Sequence, residues 1–262
     1  MARKLIDISV ALQAGIASDP PQSVPKIEYF EHHGTAPAFA EYFGIRVDQL
    51  PDGQYAAFER CNISTHNGTH LDAPYHFFSS MNHAVTEGGE RSIRIDEVPL
   101  EWCFQPGVKL DFRHFEDGYV ATPADVQAEL KRIGHRLRPL EIVVVNTRAG
   151  SRYGEPDYVD AGCGMGKAAT LWLLEQGVRL VGTDGWSWDA PFSHTRRKIR
   201  EGGSPELIWE GHRTGREIGY SHLEKLHNLE VLPASGFQVI CFPVKVHRAS
   251  AGWTRAVAII DY

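Results

Sequence analysis

The sequence has 262 residues, with 42% hydrophobic and 23% charged side chains, which is enough for one large domain or two small ones around a packed core. Its net charge of −6 excludes a generic polyanion-binding protein, because it provides no overall positive field to neutralise phosphates, and we expect no nucleic-acid partner. No apolar run reaches the ~18–20 residues that cross a bilayer, so we expect no membrane partner and predict a cytoplasmic protein.

The four cysteines are scattered along the chain and form no Cys-x-x-Cys pair. This spacing fits neither a disulfide scaffold nor a thiolate zinc site, and it is typical of buried thiols in a reducing compartment. No internal repeat, low-complexity tract or long linker divides the sequence. We therefore predict a single domain that covers residues 1–262.

The first half of the chain contains two predicted strands around a segment whose interpretation is open. Residues 5–12 alternate partly between apolar and polar side chains, as a first strand does, and lead into a proline-rich stretch. Residues 27–50 carry several aromatic side chains and are left unassigned, with a flexible arm as one interpretation. Residues 55–65 alternate again and run into Asn67-Gly68, a pair typical of tight turns.

The second half of the chain contains clearer signals. Thr122 is an N-cap candidate before a proline, and residues 126–133 continue with helical spacing. The β-branched run at 142–145 predicts a buried strand, residues 168–176 predict a helix, and residues 178–183 predict another strand. These last three elements form a predicted βαβ unit, whose crossover should be right-handed.

Two further strands, at residues 237–246 and 254–260, complete the predicted elements. Strands outnumber long helices along the whole chain, and the βαβ unit requires parallel pairing within the sheet. We therefore predict a mixed α/β fold, as a single β-rich domain with a substantial sheet.

The eleven residues from His66 to His76 contain three imidazoles and one carboxylate. An Asn-Gly pair and Pro74 disfavour a helix here, so the pattern predicts a strand, a tight turn and then extended chain. In extended chain His70 and Asp72 share a face, and the turn would bring His66 back towards that same face.

This cluster has the composition of a catalytic metal site. His66, His70 and Asp72 offer three ligands and leave a position open for water, and imidazole with carboxylate suits Zn²⁺ or Mn²⁺. His76 lies close enough to transfer a proton as a neutral imidazole. The alternative is that these histidines are ordinary surface or core residues, which their concentration in so short a segment disfavours.

The segment matches every defined position of the pattern H-x-G-T-H-x-D-x-P-x-H, and in this it resembles the cyclase family of metal-dependent hydrolases. That family includes the bacterial kynurenine formamidases and the isatin hydrolases. The resemblance continues through Gly182-Thr183-Asp184, Ser187, Asp189 and the stretch from Glu224 to Leu229.

The resemblance implies a swivelling β/β/α fold and a metal held by His66, His70 and Asp72, with His76 as the acid and base. It also implies a homodimer or homotetramer in which a neighbouring subunit completes the pocket. Asp72 would bridge to a second metal where two are bound.

For that second metal, the resemblance implies a later histidine and a glutamate twelve positions after it. His212 and Glu224 have this separation. His222, two residues before Glu224, competes with His212 on spacing alone, and residues 191–211 form an insertion of uncertain extent. Whether one or two metals bind stays open, because isatin hydrolases are understood to use one.

Two other segments contain candidate substrate-binding residues. Trp186 and Trp188 follow a predicted strand, where they would either clamp a flat ring by stacking or pack in the core. Arg196 and Arg197 lie in the most basic segment, 193–200, which is either a solvated surface run or a lid that pairs with a substrate carboxylate.

Together these observations predict a metal-dependent hydrolase, similar to an arylformamidase or an isatin hydrolase. Its substrate would be a small aromatic molecule with an amide, cyclic amide or ester (lactone) bond, opened by metal-activated water. Two alternatives are a metal-dependent lyase or cyclase on the same site and a catalytically silent protein that binds a metal or ligand.

Overall fold

Fifteen strands and six α-helices are assigned in the computed structural model, which describes residues 2–261. The strands are β1 Arg3–Asp7, β2 Lys26–Phe30, β3 Phe58–Asn62, β4 His70–Asp72, β5 Ser80–Met81, β6 Glu90–Arg91, β7 Phe104–Asp111, β8 Val120–Ala121, β9 Ile142–Asn146, β10 Gly164–Met165, β11 Leu180–Thr183, β12 Ser221–Glu224, β13 Ser235–Ile240, β14 Ala251–Trp253 and β15 Val257–Asp261. The helices are α1 His32–Phe43, α2 Pro74–Phe77, α3 Pro123–Arg132, α4 Lys167–Glu175, α5 Phe192–Arg200 and α6 Glu210–Arg213.

Nine of the strands form one mixed sheet in the order β1-β15-β13-β7-β9-β11-β12-β4-β14. The four central strands β7, β9, β11 and β12 are parallel, and every other pair in this sheet is antiparallel. The short strand β4 therefore lies between β12 and β14. The predicted α/β class is confirmed, as a single compact domain around a large curled sheet.

The position of strand β9 in the sheet explains why its sequence is continuously apolar. Val143 and Val145 pack in one hydrophobic cluster with helices α3 and α4, whereas Ile142 and Val144 pack in a second cluster on the opposite face. A strand buried on both faces has no polar alternation. The predicted βαβ unit is confirmed, because β9 pairs in parallel with β11 across helix α4.

Helix α3 begins as the sequence predicts. The Asp125 amide donates to the Thr122 hydroxyl at 3.3 Å, and the Thr122 amide donates to the Asp125 carboxylate at 2.8 Å. This reciprocal capping satisfies two amides of the first turn, which is the usual reason for Thr at an N-cap.

Two predicted strands are shorter in the structure. Strand β1 ends at Asp7, where the carboxylate accepts a hydrogen bond from the Ser9 amide at 3.0 Å and turns the chain out of the ladder. Strand β13 ends at Ile240, three residues before Pro243, which has no amide to donate.

The open segment 27–50 forms most of β2 and helix α1, and β2 pairs with β3 in a separate two-stranded sheet. Tyr29, Tyr42 and Phe43 are exposed on this arm. None of the helices within residues 2–261 is long and apolar enough to cross a bilayer.

Candidate metal centre and the adjoining groove

The register between β4 and β12 assembles the centre. His222 lies opposite Asp72, and Glu224 lies opposite His70. Because side chains two residues apart on a strand share a face, these four side chains converge on one side of the sheet. All four are buried.

The turn before β4 brings a third histidine to this face. The Asn67 amide donates to the Ser64 carbonyl at 3.0 Å, and the Asn67 side chain accepts from the Ser64 amide at 2.8 Å. The turn places His66 Nδ1 2.9 Å from Asp72 Oδ1. Helix α2 then places His76 Nε2 4.0 Å from Asp72 Oδ2.

His212 enters from helix α6, held by the buried carboxylate of Asp189. This carboxylate accepts hydrogen bonds from the backbone amides of Gly211 and His212 and contacts His212 Nδ1. The ring is thereby oriented with Nε2 3.7 Å from Glu224 Oε1. A carboxylate that orients a histidine in this way is a common second layer around a metal.

The ligand atoms form two overlapping groups that share Asp72. In each group the atoms lie within 4.8 Å of one another. One group consists of Asp72, His212, His222 and Glu224, and the other of His66, Asp72 and His76. The sequence does not choose between His212 and His222 as the second-site ligand. In the structure both reach Glu224.

His70 provides the sharpest test of whether a cation fits. Its Nδ1 lies 2.9 Å from the Gly68 carbonyl oxygen, which can only accept, so Nδ1 carries the proton and Nε2 has a free lone pair. That lone pair faces Asp72 Oδ1 at 3.4 Å and Glu224 Oε2 at 3.6 Å. His70 Nε2 and Asp72 Oδ1 have no hydrogen-bond partner within residues 2–261. A divalent cation between them would relieve this repulsion, and the donor set suits one.

The charges of the centre are strongly coupled. Burial opposes ionisation of both His222 and Glu224. The hydrogen bonds of His222 with Asp72 and Glu224 nevertheless raise the pKa of His222 to about 9. The same contact lowers the pKa of Glu224 to about 2, against the effect of burial. A metal bound to His222 would therefore displace a proton.

His76 is partly exposed, with 21% of its side chain accessible. Burial lowers its pKa to about 4, and the neighbouring His66 and His212 rings add to this effect. Its ring centroid lies 5.2 Å from that of Trp209. At neutral pH it is thus a neutral imidazole that can accept a proton.

A cavity of about 200 Å³ opens above the centre. Trp186 lines it and donates from Nε1 to Asp19 at 3.2 Å. Trp188 does not line it: its ring is 1% exposed in the core, and Nε1 donates to Thr170 at 3.0 Å. The expectation that both tryptophans clamp a substrate ring is therefore wrong for Trp188, because its side chain points to the core side of the loop.

A groove of about 700 Å³ adjoins this cavity, and Phe192 and Trp209 line both. Helix α5, formed by the basic segment, is one wall of the groove. Arg196 lines it, whereas Arg197 does not and lies with its guanidinium 3.3 Å from His194 Nδ1. Trp209 has a left-handed backbone (φ 55°), a rare conformation for a bulky residue, at the boundary of the two spaces.

Sequence reasoning missed the buried Lys225. Its Nζ contacts Asp19 and donates to the His66 carbonyl at 2.9 Å, so it fastens both the N-terminal segment and the histidine turn to β12. Lys225 also lines the cavity. Its place directly after Glu224 was the available signal, but a lone lysine after a strand carries no specific pattern.

The fold and the convergent donors define an α/β protein with a buried centre of imidazoles and carboxylates suited to a divalent metal. The chain belongs to the Cyclase family, whose model, described as "Putative cyclase", matches residues 6–190.

Solved structures of related fold agree. The chain is similar to a crystal structure of an isatin hydrolase bound to the product analogue thioisatinate, with 20% identity, a TM-score of 0.75 and coverage of 99% of this chain and 93% of that one. It is also similar to isatin hydrolase A from Labrenzia aggregata bound to benzyl benzoate (21% identity, TM-score 0.73, 99% and 94%). Isatin hydrolase A from Ralstonia solanacearum is a third match (22% identity, TM-score 0.73, 99% and 92%). At these identities the structural matches establish the fold.

Proposed function

We propose that this protein is a metal-dependent hydrolase that opens the amide, cyclic amide or ester (lactone) bond of a small aromatic substrate. The observation that carries the proposal is the buried His70 lone pair facing two carboxylate oxygens, because only a cation makes that arrangement favourable. Family membership and the fold shared with isatin hydrolases support the same reading.

One metal would be held by His66, His70 and Asp72. A second metal would be held by Asp72, His212, His222 and Glu224. A divalent metal there would polarise the scissile carbonyl and lower the pKa of a water molecule towards ~7. Zn²⁺ and Mn²⁺ both suit these imidazole and carboxylate ligands.

His76 is the proposed catalytic proton carrier. As a neutral imidazole at the cavity wall it accepts a proton from the attacking water and delivers it to the leaving nitrogen or oxygen. Trp186, which also lines the cavity, supplies an aromatic face for a flat substrate ring. Arg196, in the neighbouring groove, is the proposed partner of a substrate carboxylate, and Arg197 faces His194 instead.

We further propose a homodimer or homotetramer. The arm of β2, β3 and α1 exposes large aromatic side chains, with Tyr42 82% and Tyr29 60% exposed. Contiguous exposed apolar side chains of this kind mark interaction surfaces. Sedimentation of the purified protein, compared with a variant in which Tyr42 and Phe43 are both replaced by Ser, tests this point.

The function is tested by elemental mass spectrometry of the purified protein together with a hydrolysis screen of N-formylkynurenine, isatin and simple lactones. The proposal requires close to one or two Zn or Mn per chain and turnover that a chelator abolishes and added metal restores. Product analysis by mass must show addition of one water, since a lyase or cyclase would not add it. A protein that binds no metal after reconstitution would refute the proposal.

A further inference from the structure

The groove along helix α5 continues the catalytic cavity, and its size exceeds what a single ring needs. The cavity itself holds about 200 Å³, below the roughly 300–1,000 Å³ of typical small-molecule pockets, whereas the groove alone holds about 700 Å³. Phe192 and Trp209 line both spaces, so a molecule that leaves the cavity between them enters the groove directly.

The groove is apolar along its length and basic on its outer wall. Its apolar lining includes Ala190, Ile199 and Ile208. Arg196 and Arg200 stand one helical turn apart on the same side of α5, about 5–6 Å from each other at Cβ. Neither guanidinium forms an ion pair within residues 2–261.

Two carboxylates also line the groove: Asp160, which is exposed, and Asp189, which is buried and engaged by His212 and the Gly211 amide. Among residues 2–261 neither carboxylate forms an ion pair with Arg196 or Arg200, so both guanidinium groups remain available to an anion. Some other arginines at the surface are paired: Arg152 with Asp157, and Arg91 with Glu97 at 2.7 Å. The unpaired arginines beside an apolar groove are therefore complementary to an amphiphilic anion.

We propose that the groove binds a part of the substrate itself, namely an apolar chain or aryl extension that ends in a carboxylate held by Arg196 and Arg200. This inference rests on the proposed hydrolase function, which places the scissile bond in the cavity. The helix rises 1.5 Å per residue, so the two arginines lie about 6 and 12 Å beyond Phe192 along the axis. The preferred substrate is thus an amide or ester with an anionic extension of about that length.

Binding of two matched compounds tests the inference without relying on catalysis. The compounds are 8-phenyloctanoate and its neutral amide, 8-phenyloctanamide, titrated calorimetrically into the Zn²⁺-loaded protein at fixed ionic strength. We expect the carboxylate to bind about tenfold more tightly than the amide, because a bidentate guanidinium contact is charge-assisted.

Three single variants on one helix separate the groove from general charge. R196A and R200A should each reduce the preference for the carboxylate, while R197A, which removes the same charge outside the groove, should retain it. A fourth variant, I199Q, should weaken the binding of both compounds equally, by several-fold, because it makes an apolar wall polar. All four positions are on the surface helix, which has no buried residue, so folding is preserved.

Equal affinity of the two compounds for the unaltered protein would overturn the inference. So would a preference that survives in R196A and R200A but disappears with a chelator, since the carboxylate would then bind the metal. Neither result affects the proposed function, which can be read from metal-dependent hydrolysis of isatin and simple lactones, compounds without a carboxylate. Conversely, a protein that keeps the preference for the carboxylate but shows no metal-dependent turnover would refute only the proposed hydrolase function.

Discussion

The cavity above the metal centre and the adjoining groove share the side chains of Phe192 and Trp209, yet the centre and the groove are built from different kinds of structure. Asp72, His70 and His222 are fully buried on the neighbouring strands β4 and β12, and their positions depend on strand register. The groove wall is helix α5, on which no residue is buried.

This difference determines how much change each region tolerates. A slip of one residue in β4 would turn His70 and Asp72 to the other face, so the centre is strongly constrained. Surface substitutions on a helix change stability by roughly ±0.5 kcal/mol or less. The reaction is thus fixed by the sheet, whereas the choice of substrate can vary on α5 at little cost in stability.

The most damaging substitution should be Asp72→Asn. Asp72 belongs to both ligand groups, and an amide nitrogen would replace one of its oxygens. We expect metal content close to zero and turnover at the background rate, measured by elemental mass spectrometry and a hydrolysis assay. Glu129→Gln, at another buried carboxylate far from the site, is the matched control. Full metal content in the Asp72 variant would contradict the assignment.

His76→Gln should separate binding of the metal from proton transfer. We expect metal content to be unchanged and kcat to fall by ~10²–10⁴-fold, the usual contribution of a general acid and base. The pKa of about 4 leaves the unaltered residue neutral above pH 5, so the loss should be present across the neutral range. His83→Gln serves as the comparison, and equal activity of the two variants would exclude the proposed role.

Asp189→Asn should act through His212 alone. Loss of the carboxylate that holds the ring should weaken metal affinity by about 10–100-fold, as for other outer-layer partners of a histidine ligand. Competition with a fluorescent chelator measures this affinity. If the affinity were unchanged, the orientation of His212 would not depend on Asp189.

Lys225→Met should reduce stability, because Lys225 fastens the N-terminal segment and the histidine turn to β12. It leaves Asp19 buried without its cation, although Trp186 and Asn67 still donate to that carboxylate. We expect a loss of about 3 kcal/mol in urea unfolding, near the lower end for a broken buried ion pair. The double variant with Asp19→Asn should recover part of this loss, and additive effects would show that the two groups are not coupled.

Asp184 should affect the pH dependence of stability. Burial raises the pKa of this carboxyl to about 7, above its ordinary 3.8. Between these values the unfolded chain gives up the proton first, so the free energy of unfolding falls as pH rises and levels off above 7. Asp184→Asn should remove this contribution, seen as the difference between the urea-unfolding free energies of the two proteins from pH 4 to 8. Parallel curves would contradict it.

Local patterns were sufficient for much of the fold. The capped start of α3, the apolar run of β9 and the βαβ unit follow from residues close together in sequence, and each is confirmed. In the N-terminal arm, β3 lies within the predicted strand 55–65, whereas β2 and α1 were not assigned by pattern. Strand β2 pairs only with β3 and its side chains are largely exposed on both faces, so its sequence carries no clear alternation.

For the candidate centre, the sequence by itself determined the histidine and aspartate cluster, because the turn and the extended chain after it bring His66, His70 and Asp72 together within seven residues. It left His212 and His222 as alternatives, and it left open whether Trp188 stacks on a substrate ring or packs in the core. Only the tertiary structure decided these points. His222 meets Asp72 across 150 residues through strand register, and His212 arrives on a helix held by Asp189. Contacts of this kind depend on how distant elements pack, which no local pattern encodes.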